Sequence, residues 1–281
     1  MKFTTHRSWP FIRARRRQRF LSCCAIVRNE ARGILEWVAF HRLVGIEHFY
    51  IFDNGSTDDT AGLLQSRFAE DVVTLIPWPE RPGQLTAYRH AIANFAEATE
   101  WCAFIDVDEF LFPTEADSLA PLLGSTREAS ALCAFWLIFG SNGHRHRPMG
   151  ICIESFTRRA PDGFPINAHP KSIVRLSEAR GVGDPHIFAT TRGSVDEHGR
   201  PMARDPAVPA LYQNCSHERI RINHYFTKSA EDWAIKQARG RADQSSLRPD
   251  RDFAIHDRND VEDLTILRFL PRLRASLAKL A

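Results

Sequence analysis

"WCAFIDVDEFLFP", residues 101–113, runs through apolar side chains, places three acids at Asp106, Asp108 and Glu109, and returns at once to Phe110, Leu111 and Phe112. A carboxylate buried without a partner is costly. The three acids must therefore meet a cation, a ligand or water. The apolar run before them reads as a buried strand, so the acids stand at a strand's carboxyl end.

The stretches upstream give that strand its setting. "LSCCAIV" (21–27), "EHFYIF" (47–52) and "VVTLIP" (72–77) are short, apolar and rich in β-branched or aromatic residues, which predicts strands. Between them lie helical patterns. "ILEWVAFHRLVG" (34–45) carries Ile34, Trp37, Val38 and Leu43 on one face, with Gly45 as its stop. "STDDTAGLLQSRFAE" starts with Ser56 and Thr57 as N-cap types, and "LTAYRHAIANFAEA" (85–98) is the third helix. Strand and helix in alternation predict an α/β layer with a mostly parallel central sheet flanked by helices. Ligands bind such sheets at the carboxyl ends of the strands. Both "DNGSTDD" (53–59) and "DVDEF" (106–110) fall on that edge.

The second half is less regular. "ALCAFWLIF" (131–139), "KSIVRL" (171–176) and "RINHYF" (221–226) predict strands among long Gly-, Pro-, His- and Arg-rich loops. "SAEDWAIKQARG" (229–240) predicts a helix with Ser229 as N-cap, acids in its first turn and Gly240 at its end. "VEDLTILRFLPRLRASLAKL" predicts one or two amphipathic helices, interrupted at Pro271.

Composition bounds the function. The chain has 281 residues, 43% hydrophobic and 25% charged, with a net charge of +3, too mild by itself to argue for nucleic acid. "RARRRQR" (13–19) holds five arginines and reads as a solvated arm, with a contact for anionic lipid headgroups or nucleic acid as the alternative. No apolar run approaches the ~20 residues that span a bilayer. A cytoplasmic protein, peripheral at the inner face of the membrane through its arm, is the expectation. The six cysteines form no C-x-x-C pair and sit mostly in apolar runs, as buried reduced thiols do. The chain also lacks G-x-G-x-x-G and G-x-x-x-x-G-K-[ST], so dinucleotide and P-loop readings lose their main support.

The acidic loops have a bland and a chemical reading. Strand-end carboxylates can be solvated turn residues. In this position Asp106 and Asp108 can instead converge on Mn²⁺ or Mg²⁺, hard cations that share oxygen ligands with substrate phosphates. Asp53 stands where an acid accepts hydrogen bonds from a ribose or a base. His224 precedes a capped helix and is a candidate third metal ligand. His144, in the glycine-bearing loop "FGSNGH", suits the close approach of a sugar.

"CAIVRNEARGILEWVAFHRLVGIEHFYIFDNGSTDDT" (24–60), "WCAFIDVDEF" (101–110), "FGSNGH" (139–144), "HPKSIVR" (169–175) and "INHYFTKSAEDWAIKQARGRAD" (222–243) together resemble the nucleotide-sugar glycosyltransferases related to family 2 and family 92. The resemblance implies a GT-A fold, an activated sugar donor, usually a UDP-sugar, and a divalent metal. It puts Arg28, Asn29 and Glu30 near the nucleotide, Asp53 on base or ribose, Asp106 near ribose and metal, and Asp108 on the metal. Glu109, His144 and Lys171 are the candidates toward donor or acceptor sugar. The late E-D pair of family 2 has no convincing copy; Glu154 and Asp196, the latter in "VDEHG", are the substitutes for a catalytic base.

The expected organisation is a basic arm at 1–20, a single GT-A-like domain at 21–245 and a C-terminal helical extension at 246–281. Within the domain the nucleotide half is 21–113 and the acceptor half 114–245. The expected function is metal-dependent hexosyl transfer, inverting, to a glycan or lipid-linked saccharide in polysaccharide biosynthesis, with no nucleic-acid partner. A nucleotidyltransferase would also use paired acids and Mg²⁺, and a non-enzymatic nucleotide-sugar-binding protein would need no metal acids.

Overall fold

The structure, a computed structural model, describes residues 18–242, 244 and 246–281. Most of the basic arm, residues 1–17, lies outside the described residues. In chain order the elements of the first half are β1 (Arg19–Val27), α1 (Ile34–Leu43), β2 (His48–Asp53), α2 (Thr60–Arg67), β3 (Val73–Pro77), α3 (Gln84–Phe95), β4 (Thr99–Phe104) and β5 (Glu109–Pro113). The second half adds α4 (Ala120–Ser125), β6 (Ala131–Ile138), α5 (Cys152–Ser155), β7 (Arg158–Arg159), β8 (Pro170–Arg175), β9 (Ala179–Val182), β10 (Phe188–Thr190), β11 (Ser194–Val195), β12 (Ile220–His224), α6 (Ala230–Arg239), α7 (Arg251–His256), β13 (Val261–Glu262) and α8 (Leu270–Ala278).

The central sheet runs β3-β2-β1-β4-β8-β6-β12-β5, with β11 paired to β6. The predicted parallel layer holds for its first half: β1 pairs in parallel with β2 and β4, and β2 with β3. Beyond β4 the sheet is mixed. β8 is antiparallel to both β4 and β6, β12 is parallel to β6, and β5 is antiparallel to β12. Strands β1 to β4, β6 and β12 therefore point their carboxyl ends at one edge, and β5 starts from it.

Alternation along β1 divides the core. Cys23, Ala25 and Val27 face one side with Trp37, Val38 and Phe40 of α1. Cys24 and Ile26 face the other with Ala87, Tyr88, Ala91 and Phe95 of α3. The period of two in a strand sends successive side chains to opposite faces, so an unbroken apolar run fits a strand covered on both sides. Cys23, Cys24, Cys102 and Cys133 are buried free thiols, and Cys152 and Cys215 are half-buried free thiols.

Two local expectations change. Ser56 and Thr57 do not cap α2: Ser56 Oγ donates to Asp53 Oδ1 at 2.6 Å, Thr57 donates its N–H to Asn29 Oδ1 at 2.7 Å, and α2 starts later, at Thr60. The loop spends these residues on binding itself to the β1–α1 connection. Pro271 does not interrupt a helix. It occupies the first turn of α8, where a missing N–H removes no intrahelical bond. Gly45 takes φ 101° just past α1, as a left-handed stop requires.

The C-terminal segment is part of the same core. Ile266, Phe269 and Leu273 are fully buried with α1, and the Phe269 ring meets Phe40 edge-on at 5.4 Å. Asp263 ties this segment to β12 through Arg221, at 2.7 and 3.1 Å, and to Arg159 at 2.8 Å.

Candidate active site

The carboxyl edge gathers the acids. His224, the last residue of β12, sits opposite Glu109 in the β12–β5 register, and the Tyr225 N–H donates to the Asp108 carbonyl at 2.8 Å. This pairing fixes the β4–β5 loop beside the end of β12. Asp108 Oδ2 then lies 3.6 Å from His224 Nε2 and 2.5 Å from Lys236 Nζ on α6. Lys236 also donates to the Phe226 carbonyl at 2.7 Å and lies 3.9 Å from the centre of the Phe226 ring. Burial pushes the Asp108 carboxyl up, but Lys236 and His224 more than reverse this and hold it well below the usual carboxylate range. Burial lowers His224, against the pull of Asp108, and favours the neutral imidazole. Burial also brings the Lys236 ammonium down to about 8.

Asp106 and Glu109 form a second cluster. Asp106 Oδ1 accepts from Gln84 Nε2 at 2.9 Å and Oδ2 from Lys171 Nζ at 2.8 Å. Glu109 is fully buried; it accepts from the Asp106 N–H at 3.0 Å and lies 3.5 Å from Lys171. Burial raises the Glu109 carboxyl well above its ordinary value, and Lys171 only partly offsets this. The acids that interrupt the apolar run are thus answered by two buried lysines, Lys171 for Asp106 and Glu109, and Lys236 for Asp108.

Two cavities flank this wall. One, of about 170 Å³, is lined by Arg28, Asn54, Gln84, Asp106, Asp108, Trp136, Lys171, His186, His224 and Lys236 among others. The other, of about 370 Å³, reaches Asn29, Gly33, Asp58, Arg147, Tyr225, Lys228 and Asp232. Glu30, Asp108, Phe226, Lys236 and Arg239 line both. Two of the shared residues, Lys236 and Arg239, belong to α6, whose N-terminus is capped. Ser229 is the N-cap the sequence suggests, and in the structure it and Asp232 exchange side-chain and backbone hydrogen bonds in a capping box.

The remaining expected residues divide. Arg28 lines the smaller cavity, while Glu30 pairs with Arg239 across the wall. Asn29, at φ 53°, accepts from Thr57 and so pins the acidic loop. Asp53 holds the Ser56 N–H and hydroxyl, at 3.0 and 2.6 Å, while its neighbour Asn54 lines the cavity. Glu154, Asp196 and His144, like Asp53 and Glu109, line neither cavity. Glu154, half-exposed on α5, pairs with Arg274. Asp196 accepts from the N–H groups of His198 and Arg200 and from the Arg200 guanidinium, closing its own turn. His144 meets the Ser155 carbonyl at 3.2 Å and packs edge-on to Phe156. Lys236, Gln84, Trp136 and Phe226 were missed. Lys236 reads in the sequence only as a late basic residue on a helix, and its partner lies 128 positions away.

A divalent ion suits part of this arrangement. Among the described residues, no group of three or more His, Cys, Asp or Glu is placed to hold a metal. Asp108 and His224 are a pair, and an ammonium already occupies the cation position at Asp108 Oδ2. One carboxylate and one imidazole fit an ion that takes its other ligands from phosphate and water. Asp106, the other expected ligand, has both oxygens engaged, by Gln84 and by Lys171.

The chain is thus an α/β fold with paired acids and buried cations at the carboxyl edge of its central sheet. Residues 18–128 match the family model for glycosyltransferase family 92. It is 32% identical to a family 92 protein of Ricinus communis over 207 residues, 72% of this chain and 34% of that protein. It is also 32% identical to one of Oryza sativa subsp. japonica over 173 residues, 57% of this chain and 28% of that protein. The chain thus spans about a third of the length of these relatives. Among solved structures it is similar to S. aureus TarS 1-349 in complex with UDP, at 16% identity and TM-score 0.37, over 56% of this chain and 47% of that one. It is also similar to glucosyl-3-phosphoglycerate synthase from Mycobacterium tuberculosis in complex with Mn²⁺, UDP and glucosyl-3-phosphoglycerate, at 20% identity and TM-score 0.28, over 47% of this chain and 50% of that one.

Proposed function

We propose that this chain transfers a sugar from a nucleotide-sugar donor, a UDP-sugar, to a hydroxyl of a glycan or lipid-linked saccharide, with inversion and with Mn²⁺ or Mg²⁺. The observation that carries the reading is the Asp108–His224–Lys236 group standing between two cavities at the carboxyl edge of the sheet. The smaller cavity takes the donor. Arg28 faces its diphosphate, and Asn54 and Asp53 sit at the end of β2 where a base or ribose is held. Asp106, beside Lys171, accepts from a ribose hydroxyl. Asp108 and His224 would hold the metal. The metal supplies Lewis-acid neutralisation of the leaving diphosphate. The larger cavity, on the far side of Asp108, takes the acceptor.

The likeness to family 92 supports glycosyl transfer over nucleotidyl transfer, and two acids shaped around cations favour an enzyme over a simple binding module. No helix among the described residues is long and apolar enough to cross a membrane. The cytoplasmic setting, with peripheral contact through residues 1–17, is kept as part of the proposal.

The test is UDP release from a panel of UDP-sugars, each with a saccharide acceptor, with and without Mn²⁺. We expect release from at least one pair, lost on chelation; no release from any pair in either condition would remove the reading. A second prediction addresses the donor side. Asp53→Ala is expected to weaken UDP binding by about tenfold to a hundredfold, since a charge-assisted hydrogen bond contributes about 1.5–3 kcal/mol. Calorimetric titration with UDP measures it. An unchanged affinity would leave Asp53 with only the Ser56 turn to hold.

A further inference from the structure

The position that the proposed function assigns to a divalent ion is filled by part of the protein. The Lys236 ammonium lies 2.5 Å from Asp108 Oδ2, the oxygen that also faces His224 Nε2. A second acceptor, the Phe226 carbonyl at 2.7 Å, and the face of the Phe226 ring hold it there. An ammonium has three donors, and two are used by these partners. An ammonium and a divalent cation cannot share one carboxylate oxygen at contact distance, because they repel and each needs the same lone pairs.

We infer that Lys236 is an exchangeable counter-ion, which holds Asp108 until the donor arrives and then moves to the donor's diphosphate as the metal takes its place. Lys236 lines both cavities, so a short swing of a flexible four-carbon stem reaches either side of the wall. α6 permits this from one end. Its N-terminus is fixed by the Ser229–Asp232 box, while Lys236 lies in its last turn, just before Gly240 at φ 81°. The exchange keeps the charge balanced in both states. Without donor, one carboxylate meets one ammonium; with donor, the added metal charge meets the added diphosphate charge. A buried charge is never left alone, which is the costly alternative. Donor and metal then bind cooperatively, and by linkage each strengthens the other equally.

This inference rests on the nucleotide-and-metal reading of the site. The test measures Mn²⁺ binding by electron paramagnetic resonance and UDP binding by calorimetry, on wild type, Lys236→Met and Lys236→Gln, with thermal melting as a check of folding. Glutamine keeps a donor for the Phe226 carbonyl without the charge, and so covers the chance that Met at this site unfolds the chain. With no nucleotide present, both variants are expected to bind Mn²⁺ about tenfold or more tightly than wild type, because the competing cation is gone. With Mn²⁺ saturating, both are expected to bind UDP about tenfold or more weakly than wild type, because the phosphate has lost a charged donor. Mn²⁺ binding by a folded variant that is no tighter than wild type overturns the exchange while leaving the proposed function standing. Absence of UDP binding by the wild type, with or without Mn²⁺, overturns the proposed function and the exchange with it.

Discussion

Asp108→Asn is expected to lower metal-dependent UDP release by on the order of a hundredfold or more, the scale seen when one preorganised electrostatic partner of a leaving group is removed. The residue is reached by both Lys236 and His224, lines both cavities and is held ionised by its neighbours. Asparagine keeps an oxygen acceptor for the Lys236 ammonium at nearly the same volume, so the fold survives. The result is read as turnover at saturating Mn²⁺ beside a melting curve in EDTA. Near wild-type turnover from a folded Asp108→Asn protein would show that the acid serves structure alone. A collapse of the melting temperature would show the same, with the buried lysine as the reason.

The largest effect on stability is expected from Asp263→Ala. Asp263 accepts two hydrogen bonds from Arg221 and one from Arg159, and its side chain is only 6% exposed. The substitution leaves the Arg221 guanidinium, also 6% exposed, without its carboxylate. Breaking one partner from a buried ion pair costs about 3–5 kcal/mol. In a chain of this size that is a fall in Tm of roughly 6–20 °C. The effect reaches the site, because Arg221 lies on β12, three residues before His224.

Burial pushes the Asp263 carboxyl up, but its arginines more than reverse this and leave it well below its unfolded value. A depressed carboxyl contributes stability that is present above its unfolded value of ~3.9 and is lost as pH falls below it. Wild type should lose stability steeply in acid, and Asp263→Ala should lose less over that range. Equal melting temperatures at neutral pH would refute the clamp, and so would parallel acid profiles.

The sequence by itself determined the elements whose causes are local. β1, β2, β3 and β4 were legible because runs of apolar and β-branched residues fit a strand covered on both faces. Gly45 and the Ser229 cap were legible because a stop and a cap act within a few residues. The carboxyl-edge rule then placed Asp53, Asp106 and Asp108 on one side of the sheet before any contact was known. The same local reasoning failed at Ser56 and Thr57, which have cap chemistry but found partners at Asp53 and Asn29 instead.

Only the tertiary structure decided which charges meet. Lys171 reaches Asp106 across 65 positions and Lys236 reaches Asp108 across 128. Nothing in either lysine's neighbourhood announces its partner. Glu154 and Asp196 are equally acidic on paper, yet one turns to Arg274 and the other closes its own loop. The mixed half of the sheet belongs here too, since the direction of β8 and the return of β5 against β12 are set by pairings between distant segments. Hydrophobic period and turn chemistry act over a few residues, so they can be read along the chain. A counter-ion is chosen by burial and distance in three dimensions, and those exist only once the sheet has formed.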